Sequence, residues 1–248
     1  MELLAAIGRI GVFAGRVIGR LPHPAWQLGD LARHTLTVVG RCFGPVVAVT
    51  FPFGMVIALQ GLEIFEIYGA ERMLASLVCV AVLRELSPVL ACVLVAAQGG
   101  SAFAAELGAM RVREEIDATE VMAVDGLACH VVPRVFALVL ACPILNLAGT
   151  AAGIGGAMFT ACVMKGERAG IFLAELWSFA TPADVWGGVI KTLVFGAIIG
   201  CTATYLGYYA KGGAAGVGQA VNRTVVRSAV AFVVANYFLT SALFGVLG

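Results

Sequence analysis

Four polar residues, Gln60, Arg84, Glu85 and Gln98, fall inside long apolar runs of this chain. Such residues are costly to place in hydrocarbon, so they mark either a structural ion pair or a contact on the path of a transported solute. Arg84 and Glu85 are adjacent, point about 100° apart on a helix and cannot pair with each other. Each needs a partner elsewhere; Glu63 or Glu66 is a candidate for Arg84, and the ion-pair and solute readings both stay open. A second candidate is the run from Glu106 to Pro133, ELGAMRVREEIDATEVMAVDGLACHVVP, which carries Arg111, Arg113, Glu114, Glu115, Asp117, Glu120 and Asp125. Wound as one helix over 111–125, it sets Val112, Ile116, Thr119 and Ala123 on one stripe, with Glu114, Asp117, Asp125 and Val121 opposite and Glu115 and Glu120 at the borders. An acidic face of this kind, between apolar runs, is either a docking piece for a soluble partner or an ordinary solvated loop face.

Other chemistries are excluded. No G-x-x-x-x-G-K-[ST] occurs, and Lys165, Lys191 and Lys211 do not follow the required glycine spacing, so the chain holds no nucleotide through a P-loop. Gly212, Gly213, Gly216 and Gly218 read as a tight loop rather than a phosphate cradle. The seven cysteines are scattered without a C-x-x-C, and no metal site is expected. His23, His34 and His130 all lie outside the long apolar runs, which argues against an intramembrane imidazole.

These residues need a membrane scaffold to position them. A hydrophobic fraction of 60%, a charged fraction of 12% and a mean hydropathy of +0.96 lie far from soluble domains. Continuous apolar runs of about twenty residues favour helices over barrel strands. Residues 3 to 21 read as an interfacial helix with an arginine side (Arg9, Arg16, Arg20), an apolar side (Leu3, Ile7, Ile10, Ala14, Val17, Leu21) and a glycine stripe (Gly8, Gly11, Gly15, Gly19) set against another helix. It lacks the layout of a cleaved signal peptide, and Pro22-His23-Pro24 turns the chain. Five spans follow: Phe43–Leu62, a long segment from about Met73 to Ala105 with Pro88 and Gly99-Gly100 as break points, Val135–Met164, Trp186–Tyr208, and one from Arg223 to the end. Loops fill 165–184 and the glycine-rich stretch up to Arg223. The expected organisation is an N-terminal interfacial helix and connector over 1–41 and a five-span domain over 42–248. Gly149-x-x-x-Gly153 and Gly196-x-x-x-Gly200 read as close helix packing. With five spans, Arg9, Arg16, Arg20, Arg33, Arg41, Arg111, Arg113, Arg134, Lys211, Arg223 and Arg227 share one side, against Arg72, Lys165, Arg168 and Lys191 on the other. The positive-inside rule puts the N-terminus and the acidic helix in the cytoplasm.

At RELSPVL (84–90), GSAFAAELGAMRVREEIDATEVMAVD (100–125), VVPRV (131–135), KGGAAGVGQAVNRTVVRS (211–228) and FLT (238–240), the chain strongly resembles the MlaE/YrbE family, the permease subunits of MCE-associated ABC transporters. The motifs run in order from about Gly54 to Thr240. The resemblance implies an all-α integral membrane permease of the inner membrane, with an N-terminal interfacial helix and a cytoplasmic coupling helix. Two permease subunits, alike or different, would assemble with two cytoplasmic ATPases and with MCE proteins on the outer side to move phospholipid or other hydrophobic lipid; nucleic acid is not among the expected partners. It makes 111–125 the coupling helix, with Glu114, Glu115, Asp117, Glu120, Val121 and Asp125 docking the ATPase, and leaves ATP and magnesium to that partner, so that this chain has no cofactor and no catalysis of its own. Two positions depart from the family pattern: Gln98 stands in place of a usual arginine and Asn236 in place of a usual aspartate. A stand-alone secondary transporter or channel would call for mid-membrane ion-coupled carboxylates and an internal repeat, and an intramembrane enzyme for a nucleophile with its base. Neither pattern is present.

Overall fold

In hydrocarbon every backbone N–H and C=O must find its partner within the protein, so apolar runs of this length settle as helices. The computed structural model describes residues 2–20, 28–70, 73–166 and 168–245, with backbone alone at 2–7 and 165, and holds no strand among them. In chain order the helices are α1 (Glu2–Gly19), α2 (Leu28–Ile67), α3 (Leu74–Val112), α4 (Glu115–Val121), α5 (Leu127–Met164), α6 (Ala169–Phe179), α7 (Pro182–Tyr208) and α8 (Gly213–Phe244). Of these, α2, α3, α5, α7 and α8 are long and apolar enough to cross a membrane, as expected for an all-α five-span protein. The Pro22-His23-Pro24 turn, Arg72 and the side chains of Leu3, Ile7, Leu21 and Lys165 lie outside the described residues.

Several boundaries differ from the sequence reading, because hydropathy detects the apolar window and not the helix that carries it. The expected connector is helical from Leu28 and runs into the first span without a break. The expected loop over 165–184 contains α6, whose Phe172 and Leu176, one turn apart, are both buried. The glycine-rich stretch is a turn only at Gly212 and Gly213, where φ is +94° and +63°; Gly216 and Gly218 already belong to α8. The long second span is unbroken, but it widens into π-turns at Cys79–Leu86, just before Pro88, and at Ala96–Gly100. Pro88 has no N–H to give the carbonyl four residues back, that of Arg84, and the helix accommodates it by widening.

By contact the chain divides into two units, one of residues 1–41, 93–141 and 194–235, the other of 42–92, 142–193 and 236–248. The first has a core of Phe13, Val17, Ile116, Leu127, Val131, Val132, Val135 and Tyr208. In it the apolar side of α1 faces inward, and the Phe13 ring meets Tyr205 at 5.4 Å and Tyr209 at 6.0 Å. The glycine stripe of α1 does not pack as expected: Gly8, Gly11, Gly15 and Gly19 are exposed, and a methyl at any of them would meet nothing within 4 Å. Burying Phe13 and Val17 releases more apolar surface from water than a glycine face can, and that decides which side turns in. Gly196 and Gly200 do serve close packing, since a Cβ at either would fall 2.8 Å from the Leu138 carbonyl or 3.1 Å from the Val135 backbone.

The second unit is cored by Ala58, Leu62, Leu74, Val78, Val82, Ala157, Phe172 and Leu176. Here α2 and α5 approach backbone to backbone. A Cβ on Gly54 would lie 2.0 Å from the Gly153 carbonyl oxygen, and one on Gly156 equally 2.0 Å from that of Phe51. A Cβ on Gly149 would lie 2.9 Å from Ser87 Oγ, a looser approach than these, and both small-residue motifs bring helices together.

Candidate functional site

The charged segment between α3 and α5 is not one long helix. Glu114 adopts the left-handed conformation at φ +61°, ending α3, and Ala123 does so at φ +58°, ending α4. At the second stop Val124 N–H reaches the Thr119 carbonyl at 3.0 Å and Ala123 N–H that of Glu120 at 3.0 Å, the paired bonds of a Schellman cap with alanine in the usual glycine position. The expected helix over 111–125 therefore shrinks to Glu115–Val121, and the expected stripe holds only at Ile116, which is buried, and Thr119, which is half-buried. Val112 closes α3 and is exposed, as is Ala123.

Ionic contacts divide the acidic residues into two groups. Asp117 accepts from Arg111 at 2.6 Å, and Glu115 lies 3.5 Å from Arg113. Glu120 accepts from the Tyr208 hydroxyl at 3.2 Å, and Gly126 leaves room for this, since a Cβ there would crowd the same hydroxyl at 3.3 Å. Asp125 points inward instead of joining Glu114 and Asp117. It pairs with Arg20 of α1 and caps the helix that begins at Gly126, accepting from Leu127 N–H at 3.0 Å and Ala128 N–H at 3.3 Å. Partial burial pushes its carboxyl up, but the Arg20 hydrogen bond and charge and the two backbone N–H groups outweigh that and hold it below the usual carboxylate range. Outward and without an ion pair or side-chain hydrogen bond among the described residues are Glu114 and two apolar side chains, Val121 at 88% exposure and Met122 at 66%. The segment is thus a small ledge pinned from beneath by Ile116, Glu120 and Asp125.

In the second unit Arg84, Glu85, Asp184 and Lys191 form one network. Arg84 Nε donates to Asp184 Oδ1 at 2.6 Å, not to Glu63 or Glu66 as considered from sequence. Asp184 in turn accepts from the backbone N–H and hydroxyl of Thr181, the carboxylate half of a capping box, at the start of α7 with Pro182 in its first turn. Glu85 accepts from Lys191 Nζ at 2.9 Å, from the Thr240 hydroxyl at 2.8 Å and from Asn236 Nδ2 at 2.8 Å. Lys191 is fully buried and also donates to the Arg84 carbonyl at 2.8 Å, the group that Pro88 leaves without its α-helical donor. The Phe244 ring covers both cations, 4.6 Å from the Arg84 guanidinium and 5.3 Å from Lys191 Nζ; Gly187 permits this approach, since a Cβ there would lie 2.5 Å from the ring.

Of the four intramembrane residues singled out, the structure brings Arg84 and Glu85 into this network. Gln60 is exposed on α2, and Gln98 belongs to the other unit. Lys191 and Asp184 were missed as partners, Lys191 having been counted as an outer-side charge. Their spacing carried the signal: seven residues apart they share a face of α7, with signs opposite to those of Glu85 and Arg84.

A polytopic α-helical protein with five spans, paired intramembrane charges and a pinned polar ledge between its second and third spans has the makings of a membrane transport component. The chain matches the family described as Permease MlaE over residues 31–242, and it belongs to that family. It is 34% identical to a probable ABC transporter permease protein of Rickettsia bellii, over 99% of this chain and 95% of that one. It is likewise 34% identical to the intermembrane phospholipid transport system permease protein MlaE of Haemophilus influenzae, over 99% and 94%. With the chloroplastic protein TRIGALACTOSYLDIACYLGLYCEROL 1 of Arabidopsis thaliana it shares 33% identity over 95% of this chain and 67% of that one.

Proposed function

We propose that this chain is the permease subunit of an ABC-type transporter that moves phospholipid or another hydrophobic lipid between the cytoplasmic membrane and the cell envelope. In this reading it sits in the inner membrane with its N-terminus cytoplasmic, pairs with a second permease subunit and works with MCE proteins on the outer side. A separate cytoplasmic ATPase binds the ATP and magnesium. The observation that carries the reading is the ledge: Val121 and Met122 stand exposed beside acidic side chains, at the end of a helix whose opposite side is anchored by Ile116. Solvent-facing apolar side chains on a rigid, charged support suit a protein partner better than a loop exposed only to water.

Closure of the ATPases would push on α4. The Arg111–Asp117 pair passes that push to α3, the Tyr208–Glu120 bond to α7, and Asp125 to both α1 and α5. Those shifts reshape a lipid cavity between the two permease subunits, provided the ATPase contacts differ in its open and closed states. The intramembrane network favours this over an ion-coupled carrier, because Glu85 and Asp184 each already hold a cation.

The test combines Glu114→Lys with Val121→Asp, two side chains that make no ion pair or side-chain hydrogen bond among the described residues. Membrane insertion is expected to stay intact while the ATPase no longer co-purifies. Unchanged co-purification and unchanged ATPase stimulation would overturn the docking role.

A further inference from the structure

Beside α1, within the first unit, lies an open cavity of about 510 Å³ lined by Gly8, Arg9, Val12, Phe13, Arg16, Tyr205 and Tyr209. Its chemistry is uneven in a telling way. Arg9, Arg16 and Arg20 share one side of α1, but Arg20 is taken up by Asp125, whereas neither Arg9 nor Arg16 has an acidic partner among the described residues. Two turns separate Arg9 from Arg16, about 10.5 Å along the axis, so their side chains converge over the cavity from either end. Its floor is aromatic, with Phe13 wedged against Tyr205 and Tyr209, whose rings stand 5.2 Å apart. Tyr205 lies in the last turn of the α7 span and Tyr209 just beyond it, where amphipathic rings sit at headgroup level.

We infer that this cavity is a resident site for an anionic phospholipid headgroup, with Arg9 and Arg16 holding the phosphate and Tyr205 and Tyr209 lining its base. Guanidinium binds phosphate oxygens through two parallel charge-assisted bonds, and a phenol hydroxyl adds a further donor. The exposed glycine side of α1, with Val12 and Ile18 outward, leaves an unobstructed apolar flank along which acyl chains can lie. The bound lipid is a fastening for α1 rather than cargo, so the inference stands or falls independently of the transport reading.

The experiment uses the full-length chain purified in mild detergent and titrated with phosphatidylglycerol, phosphatidylcholine or inorganic phosphate, with bound molecules counted by native mass spectrometry. The first phosphatidylglycerol is expected to bind at least about tenfold more tightly than phosphatidylcholine, which offers the same phosphate but brings the positive charge of its quaternary ammonium beside Arg9 and Arg16. R9Q/R16Q should abolish that preference, and Y205F/Y209F, which keeps both rings in place, should weaken it. Equal affinity for the two lipids, or a preference untouched by both variants, would refute the site. Displacement of phosphatidylglycerol by millimolar inorganic phosphate would show a free-anion site and overturn the lipid assignment.

Discussion

Replacing Lys191 with methionine probes the intramembrane network most directly. Methionine fills similar space but has no donor, so three bonds vanish together: to the Arg84 carbonyl at 2.8 Å, to Glu85 Oε1 at 2.9 Å and to Thr240 Oγ1 at 2.6 Å. Breaking a buried ion pair by removing one partner costs about 3–5 kcal/mol. Glu85 is not stranded by this change, since its side chain is 39% exposed and keeps Asn236 Nδ2 and the Thr240 hydroxyl. That places K191M near the lower end, about 3 kcal/mol. Glu85→Gln is the harsher change, because it leaves a fully buried ammonium without its counter-charge, and should approach about 5 kcal/mol. Removing both charges in E85Q/K191M leaves no orphan ion and should cost less than either single variant, giving a coupling of several kcal/mol in the double-mutant cycle. Reversible unfolding by SDS in mixed micelles reads all four proteins. Additive losses, or K191M costing more than E85Q, would refute the assignment of Lys191 as the buried partner.

Two further outcomes follow from named contacts. Gly54→Ala drives a Cβ to 2.0 Å from the Gly153 carbonyl oxygen, backbone that cannot rotate away, so a loss above the usual overpacking cost of about 1–3 kcal/mol is expected, while Gly15→Ala on the open side of α1 should leave the thermal midpoint unchanged or higher. Asp125 has a folded-state pKa below its unfolded value of about 3.9, so its stabilisation is complete above that value and is lost as pH falls through the lower, folded one. The protection of α1 amides, taken relative to the intrinsic exchange rate at each pH, should therefore fall only in that acidic window, and D125N should show low protection at every pH.

The sequence pattern was a good guide to the spans, because in lipid a long apolar run has one outcome. It was also a good guide to Ile116 as the inward anchor and to the glycine contacts of α5 and α7. It failed where polarity and geometry part company. Nothing in the residue types at Glu114 and Ala123 announces a left-handed turn, so two helices and a stop read as one amphipathic helix. Asp125 joined the outward acidic face on paper, but a carboxylate placed one residue before a helix is drawn to its free N–H groups. Helix α6 was read as loop because it is too short for a span, although Phe172 and Leu176 carry the one-turn spacing. Arg84 was matched to glutamates nearby in sequence, whereas a span can pair with any neighbour, and α7 supplies both the anion for Arg84 and the cation for Glu85.

The π-turn from Cys79 to Leu86 sets a rule about length. A widened turn holds more residues than an α-helix of equal rise, and this one contains both Arg84 and Glu85. Deleting a single residue here would leave the segment just as apolar and just as able to span, yet it would roll everything beyond by about 100° and carry both charges away from Asp184 and Lys191. Substitutions can drift freely at its lipid-facing positions, but insertions and deletions cannot: in this helix the residue count is itself under constraint.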